Sequence, residues 1–429
     1  MNWSDLTVNK LGDYQVCLQS FYLEIKKIAI FKFQEKAVLY LLLLKHSFTI
    51  NRKGDDFMLM AYNELQQIFL PYEYSREALQ RYRRQMKFYC PQCQQPVQLK
   101  IGQYNIPHFA HIANSSCERL FAEGESKLHL QGKVQLFEWL KKLGHTVKLE
   151  PYLQKLAQRP DMLLIKERQQ IAIEFQCSTI SHEKWQLRTS GYEKNSIQPL
   201  WLFQTPQKQS TQGIQKISIS PIMQKIINVT AQGLAYLVTY DANTSRFIYW
   251  TNLLHVQGHT FIGKVQELTV NKQYFPFYEP KPITKEEFQL YWQLYKKHCK
   301  QFVYQRLLLR KNGVQDSFLR SNYELRFTLT AMPDYVGVPV KNAEAIPMFS
   351  IEWQTIFLYF CRRLQLEPHE LDGRTIRSFL IEQNVEVTNQ AVQAIKNYGM
   401  VLAESYEENR FSDICEQMYA HLFAIATIY

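Results

Sequence analysis

Between Ser126 and Leu143 apolar residues recur at helical spacing. Leu130, Val134, Leu136, Phe137, Leu140 and Leu143 fall on one side at about 3.6 residues per turn, and Lys127, Gln131, Gln135, Glu138 and Lys142 on the other. Gly144 stops this helix, and three strand-like runs follow: Thr146 to Glu150, Asp161 to Lys166, and Ile171 to Ser178. The polar residues 167–170 predict a hairpin between the last two. Strand side chains alternate, so Ala172, Glu174, Gln176 and Ser178 share one surface while Ile173, Phe175 and Cys177 share the other. A second helix is predicted from an N-cap at Ser181 through Lys194, then an apolar strand from Leu200 to Phe203. In that helix Trp185 reads as core rather than as a stacking platform.

On either side the patterns are plainer. Met1 to Phe57 predicts one or two apolar helices. Arg52 to Met58 are the residues that a purine-rich ribosome-binding site and a start codon would encode in frame, which makes Met58 a candidate natural start and 1–57 an upstream extension. Tyr72 to Lys87 predicts a basic helix whose Arg76, Arg81, Arg83 and Arg84 suit a solvated face better than a nucleic-acid contact. Residues 234–270 carry two short strand patterns around the turn-forming Asp241 to Ser245, a small β insertion without visible chemistry. Thr284 and Glu287 form a capping box opening a long helix that ends before Gly313. Its Lys296, Lys297, Lys300, Arg306, Arg310 and Lys311 alternate with Tyr291, Trp292, Tyr295, Phe302 and Tyr304. That mixture suits either a packed helix with a basic face or a grip on a single nucleic-acid strand. From Ile351 to Tyr429 the spacing is helical throughout. The expected divisions are 1–57, a compact polar module at 58–118, an α/β domain at 119–215, a small β region at 216–282 and a helical domain at 283–429.

With 429 residues, several domains are expected, and 46% hydrophobic with 21% charged residues excludes wholesale disorder. Fifty basic against 39 acidic residues leave +11, a balance that suits a polyanionic partner. Eight cysteines with only three close together form no disulfide framework, and no secretory leader opens the chain. The longest apolar run, Ala37 to Leu44, is far shorter than the roughly 20 residues of a membrane span, so a cytoplasmic location is expected. There are no long repeats and no Gly-rich phosphate loop, which disfavours an ATP-driven helicase.

Two constellations carry chemistry. Cys90 and Cys93, two residues apart on a tight turn, with His108, His111 and Cys117 downstream, predict a structural zinc site. The His pair is closer than the usual gap, so Cys117 can replace either imidazole; a reduced or redox Cys pair is the alternative. On the first helix Glu125, His129 and Lys133 lie within roughly 80° of arc on the core side. Charges on a core-facing stripe need pairing, which makes them site candidates unless that helix end overhangs the core. Asp161, after Arg159-Pro160, and Glu174 on the neighbouring strand are placed to converge and to chelate a hard divalent cation, magnesium or manganese. Arg188 and Tyr192, four apart on the second helix, are expected to project toward a phosphate backbone.

The order helix, three strands, helix, strand, with an acid on the first helix, Pro160-Asp161 and Glu174-Phe175-Gln176, resembles the PD-(D/E)xK restriction-endonuclease-like superfamily. More narrowly, Cys90-x-x-Cys93, His108-Phe-Ala-His111, Glu123-Gly-Glu-Ser126, Arg159-Pro-Asp161 and Glu174-Phe-Gln-Cys-Ser178 resemble the competence protein CoiA family of Gram-positive bacteria, from about Met58 to the C-terminus. The resemblance implies an α/β (α+β) fold with a restriction-endonuclease-like core, and a nuclease-like protein handling incoming DNA for recombination in natural transformation. It implies DNA as partner, single-stranded or recombination intermediates, with a RecA-type recombinase and other competence proteins. Asp161, Glu174 and Glu125 match the metal-binding acids, and Gln176 stands at the usual lysine position. A neutral amide orients water but does not offset phosphate charge, so His129 or Lys133 is expected to supply it while Lys184 and Arg188 hold neighbouring phosphates. The competing reading is a DNA-binding adaptor that has lost cleavage and recruits the recombinase. A zinc hydrolase built on His108 and His111 is weaker, for want of a neighbouring general base.

Overall fold

The computed structural model describes residues 57–103, 105–112, 126–167, 169–206, 212–308, 315–407 and 414–423. The proposed extension up to residue 56 and the candidates Cys117 and Glu125 lie outside these. A six-stranded antiparallel sheet comes first, from β1 (Phe57–Met58), β2 (Ala61–Asn63), β3 (Ile68–Phe69), β4 (Phe88–Tyr89), β5 (Pro96–Lys100) and β6 (His108–His111), in the order β1-β6-β5-β4-β2-β3. Helix α1 (Arg76–Gln85) enters between β3 and β4, its first turn capped by Ser75, whose hydroxyl accepts the Ala78 N–H at 3.3 Å. This helix is shorter than the basic segment that announced it, because Pro71 to Glu73 form a separate 3₁₀ turn.

The second sheet holds nine strands. Helix α2 (Lys127–Lys142) precedes β7 (Thr146–Leu149), β8 (Met162–Lys166) and β9 (Gln169–Gln176), an antiparallel meander. Helix α3 (His182–Glu193) then crosses to β10 (Ile197–Gln204), which pairs parallel with β9, as a helical crossover allows. The sheet continues through β11 (Gly213–Ser218), the short β12 (Asn228–Val229), β13 (Ala235–Asp241), β14 (Arg246–Gln257) and β15 (Thr260–Thr269), in the order β11-β15-β14-β13-β10-β9-β8-β7, with β12 on β13. The boundary expected at 215 therefore falls inside this sheet. Periodicity showed the hairpin around Asp241, but β14 and β15 are long and β14 is largely buried, so two short strands understate them. Gly258, at φ +56°, turns β14 into β15.

Period two decides which helix covers which face. Ile171, Ile173 and Phe175 of β9 meet Leu130, Leu136, Phe137 and Leu140 of α2 in one core. Ala172 points the other way and packs with Tyr192 of α3, Leu163 and Ile197. Trp185 packs at the edge of a third cluster around Trp201, Phe203 and Trp250, as expected of a core residue.

Beyond the short α4 (Pro221–Gln224), the helices α5 (Lys285–Leu308), α6 (Ser317–Leu325), α7 (Ser350–Leu364), α8 (Gly373–Glu382), α9 (Asn389–Glu407) and α10 (Ile414–Phe423) share a core with Leu254 and Ile262 of the sheet. Thr284 and Glu287 close the capping box at the start of α5, each side chain accepting the other's backbone N–H at 3.2 Å. Tyr291 and Tyr295 are fully buried, which removes them from the candidate stacking surface. Phe288, Tyr291, Tyr295, Cys299 and Val303 anchor α5 in this core, while Tyr304 stays exposed. No helix among the described residues is long and apolar enough to cross a membrane.

Candidate functional site

Three acids stand at the same end of three neighbouring strands. Leu149 pairs with Met162, and Met162 with Ile173, so Glu150, Asp161 and Glu174 each sit one step beyond those pairs. The Glu150 N–H donates to the Asp161 carbonyl at 2.9 Å, extending the ladder by one rung. Sequence reasoning named Asp161 and Glu174 and missed Glu150. The available signal was its place at the end of the first strand-like run, but nothing local says which side chain it meets.

Helix α2 delivers an imidazole and an ammonium to Asp161. Ser126 caps it, its hydroxyl accepting the His129 N–H at 3.2 Å, and Gly132 lets it lie directly on Phe175. His129 Nε2 then stands 3.3 Å from Asp161 Oδ2, the oxygen that also accepts the Phe175 N–H at 2.8 Å. Lys133 is fully buried, pairs with Glu150, and places Nζ 3.7 Å from Asp161 Oδ1. The helical face that sequence assigned to His129 and Lys133 is thus brought onto Asp161 and does not overhang the core. Burial alone would raise the Asp161 carboxyl. The His129 and Lys133 charges, with hydrogen bonds from His129 and Phe175, outweigh it and hold this acid well below the usual carboxylate range.

Glu174 lies on the other face, toward α3. Its Oε1 accepts from both the Arg188 guanidinium and the Tyr192 hydroxyl. Arg188 also reaches the Arg159 carbonyl at 3.1 Å. Burial pushes the Glu174 carboxyl up, against the opposing Arg188 charge, and the neighbouring Asp161 adds to the rise. Arg188 and Tyr192, expected to face a phosphate backbone, are corrected by this geometry. Tyr192 is fully buried, and the guanidinium is turned inward because Glu174 is a buried carboxylate that needs a countercharge. Lys184 is exposed in the first turn of α3. Gln176, the last residue of β9, donates its side-chain N–H groups to the Ser178 carbonyl and hydroxyl, each at 3.0 Å, and so is engaged at the strand's own end.

A second cluster sits in the first sheet. Cys90, Cys93 and His111 place their ligand atoms within 4.8 Å of one another, the one such trio of Cys, His, Asp or Glu among the described residues. A tight turn brings the two sulfurs together: the Gln94 N–H donates to the Cys90 carbonyl at 2.9 Å, with Gln94 at φ +57°. Cys93 Sγ lies 3.4 Å from His111 Nε2. Burial would raise the Cys90 thiol, but the hydrogen bond to His111 and those from the turn pull it down to about 7. Two thiols and an imidazole so arranged are a donor set for a soft or borderline metal ion.

His108 does not join them. In a strand, residues three apart face opposite ways, so with His111 turned to the cysteines, His108 packs its ring 4.3 Å from that of Phe57, and its Nδ1 donates to the Ile106 carbonyl at 2.8 Å. The expectation of a two-histidine set is corrected by β6 being a strand.

Comparison with known proteins adds the family. Residues 71–119 match the family model described as the competence protein CoiA N-terminal domain, and residues 125–279 match its nuclease-like domain. The competence protein CoiA of Bacillus subtilis (strain 168) is 30% identical over 279 residues, which cover 64% of this chain and 71% of the relative. The chain belongs to the competence protein CoiA family. The N-terminal match contains the Cys90, Cys93 and His111 cluster. The nuclease-like match contains Asp161, Glu174 and the cations around them, and it continues through β15, so the family's nuclease-like region spans the whole nine-stranded sheet. No solved structure matches the chain.

Proposed function

We propose that the chain handles incoming DNA for recombination during natural transformation, at a metal-dependent centre of the restriction-endonuclease type formed by Asp161 and Glu174. The observation that carries this reading is the placement of those two acids on adjoining strand ends, with His129 and Lys133 gathered at Asp161. An adaptor that only grips phosphates has no use for buried carboxylates there. The fold supports it too: a helix, an antiparallel meander, a crossover helix and a parallel fourth strand, with the acids at the meander's end.

The donor set fits a hard ion, since carboxylate oxygens suit magnesium or manganese, and Asp161 and Glu174 would hold it, with Glu125 assigned as a third ligand from sequence. Such an ion supplies polarisation of the phosphodiester and a lowered pKa of the attacking water. The chain's own contribution is positive charge and orientation. His129 and Lys133 offset charge that builds on the phosphate, the part that neutral Gln176 does not play. Arg188 and Tyr192 fix the Glu174 carboxylate. Exposed Lys184 remains the assigned phosphate contact on α3.

In the N-terminal module the donor set fits zinc, which Cys90, Cys93 and His111 would hold, with Cys117 assigned from sequence as the fourth ligand, in a structural role. A RecA-type recombinase, other competence proteins and a cytoplasmic location complete the reading.

Incubation of the purified chain with labelled single- and double-stranded DNA and manganese or magnesium tests it. Cleavage by the parent that disappears in Asp161→Ala and Glu174→Ala supports the enzyme. The adaptor reading is favoured by the Arg188 and Tyr192 contacts on Glu174, which occupy one of its oxygens. Binding without cleavage under either metal selects it.

A further inference from the structure

Glu150 is 2% exposed and has both carboxylate oxygens engaged: Oε2 accepts the Leu59 main-chain N–H at 3.0 Å, and Oε1 pairs with Lys133. Lys133 is buried completely and reaches Asp161 as well. Glu150 also adopts φ +47°, a left-handed conformation that a residue with a side chain rarely takes without surrounding constraint. A buried ammonium stays charged and fixed only where carboxylates surround it. Here they come from two strand ends, and the one not exposed to solvent is locked by a backbone amide from the N-terminal segment. Leu59 directly follows β1 and packs in the same core as α2.

We propose that Glu150 is a positioning residue of this centre: gripped by the Leu59 amide, its carboxylate holds the Lys133 ammonium against Asp161. The proposal rests on the nuclease-type reading of Asp161 for its catalytic consequence, but not for its geometry. It explains how the centre carries a fixed positive charge although Gln176 stands at the lysine position and points its amide at Ser178. It also ties the nine-stranded sheet to the first one, since the amide that secures Glu150 is delivered by the strand segment at Phe57 to Leu59.

The test uses the full chain as parent, Glu150→Gln, Glu150→Asp, Lys133→Gln and the Glu150→Gln/Lys133→Gln double variant, with two readouts. The first is manganese-dependent DNA cleavage. Glu150→Gln and Lys133→Gln are expected to lower kcat by about 10- to 100-fold, the usual effect of losing an outer partner of a metal-site residue, with KM for DNA little changed. The double variant is expected to be no worse than Lys133→Gln alone. The second readout is independent of catalysis: in protein labelled with ¹⁵N-lysine, a slowly exchanging buried NH₃⁺ resonance, assigned by its loss in Lys133→Gln, is expected to vanish in Glu150→Gln. Glu150→Asp keeps the charge one methylene short. It is expected to retain the resonance with intermediate kcat, and it stands in should Glu150→Gln fail to fold. A resonance and kcat both untouched by Glu150→Gln, or additive losses in the double variant, overturn the proposal. If the parent never cuts DNA while the resonance still depends on Glu150, the nuclease reading fails and the positioning role stands.

Discussion

Gly132→Ala probes the contact that brings α2 to the sheet. A Cβ at this position would lie 2.0 Å from Phe175 Cε1, 2.6 Å from Cδ1 and 2.8 Å from Cζ, distances that no packing tolerates. The ring has little room to retreat, because it is buried, with Tyr240 edge-on at 5.8 Å and the His129 ring stacked at 6.0 Å. Two effects compete. Ala favours the helix by about 1 kcal/mol over Gly, whereas overpacking a filled core costs about 1–3 kcal/mol, and a contact this close belongs at the upper end. The clash wins, for a net loss of about 2 kcal/mol. Lifting α2 also draws His129 and Lys133 away from Asp161. Thermal and urea unfolding of parent, Gly132→Ala, Phe175→Leu and the double variant measure this. Because the smaller side chain makes room for the new methyl, the double variant should be more stable than the two single losses summed, by about 1 kcal/mol. A Gly132→Ala protein as stable as the parent or more so, reporting only the helix-propensity gain, refutes the argument.

Zinc content should fall in Cys90→Ser, Cys93→Ser, His111→Ala and Cys117→Ser and hold in His108→Ala, read by atomic absorption on purified protein; loss in His108→Ala would restore the two-histidine set. Tyr192→Phe keeps the packing but removes a hydrogen bond to Glu174, so stability should fall by about 1–3 kcal/mol in urea titration and the Glu174 carboxyl should rise further. The two acids should respond to pH with opposite sign. Asp161 is held below its ordinary 3.8, so its stabilising contribution is complete above that pH and is lost as pH falls toward the folded value. Glu174 is raised above its ordinary 4.5, so the native state binds that proton more tightly. Stability then declines as pH climbs through the folded value, a slope that Glu174→Gln should abolish in pH-dependent unfolding. A Glu174→Gln curve parallel to that of the parent across pH 4.5 and above would count against the raised carboxyl.

Much of the nuclease-like region was legible along the chain. Helical spacing located α2 and placed His129 and Lys133 together on its inner side, and alternation in β9 separated Glu174 from Phe175. Periodicity names the face a residue shows but not its neighbour. It therefore gave Arg188 and Tyr192 an outward role, when the nearest unmet demand on their face was the buried Glu174 carboxyl. The same limit hid Glu150: its partners Lys133 and Leu59 lie 17 and 91 residues away in the chain. Spacing also suggested that His108 and His111 act together, which holds for a turn or helix but fails for a strand.

The sequence by itself determined the succession of helix, three strands, helix and strand from Ser126 to Phe203, the inner face of α2 and the family, because these depend on local periods and on residue identities in fixed succession. Only the tertiary structure decided that the later strands extend the same sheet, that three strand ends align their acids, and that a distant backbone amide secures Glu150. Strand pairing and the pairing of buried charges are contacts between remote segments, selected by the need to satisfy every buried polar group together, and no local pattern encodes that selection.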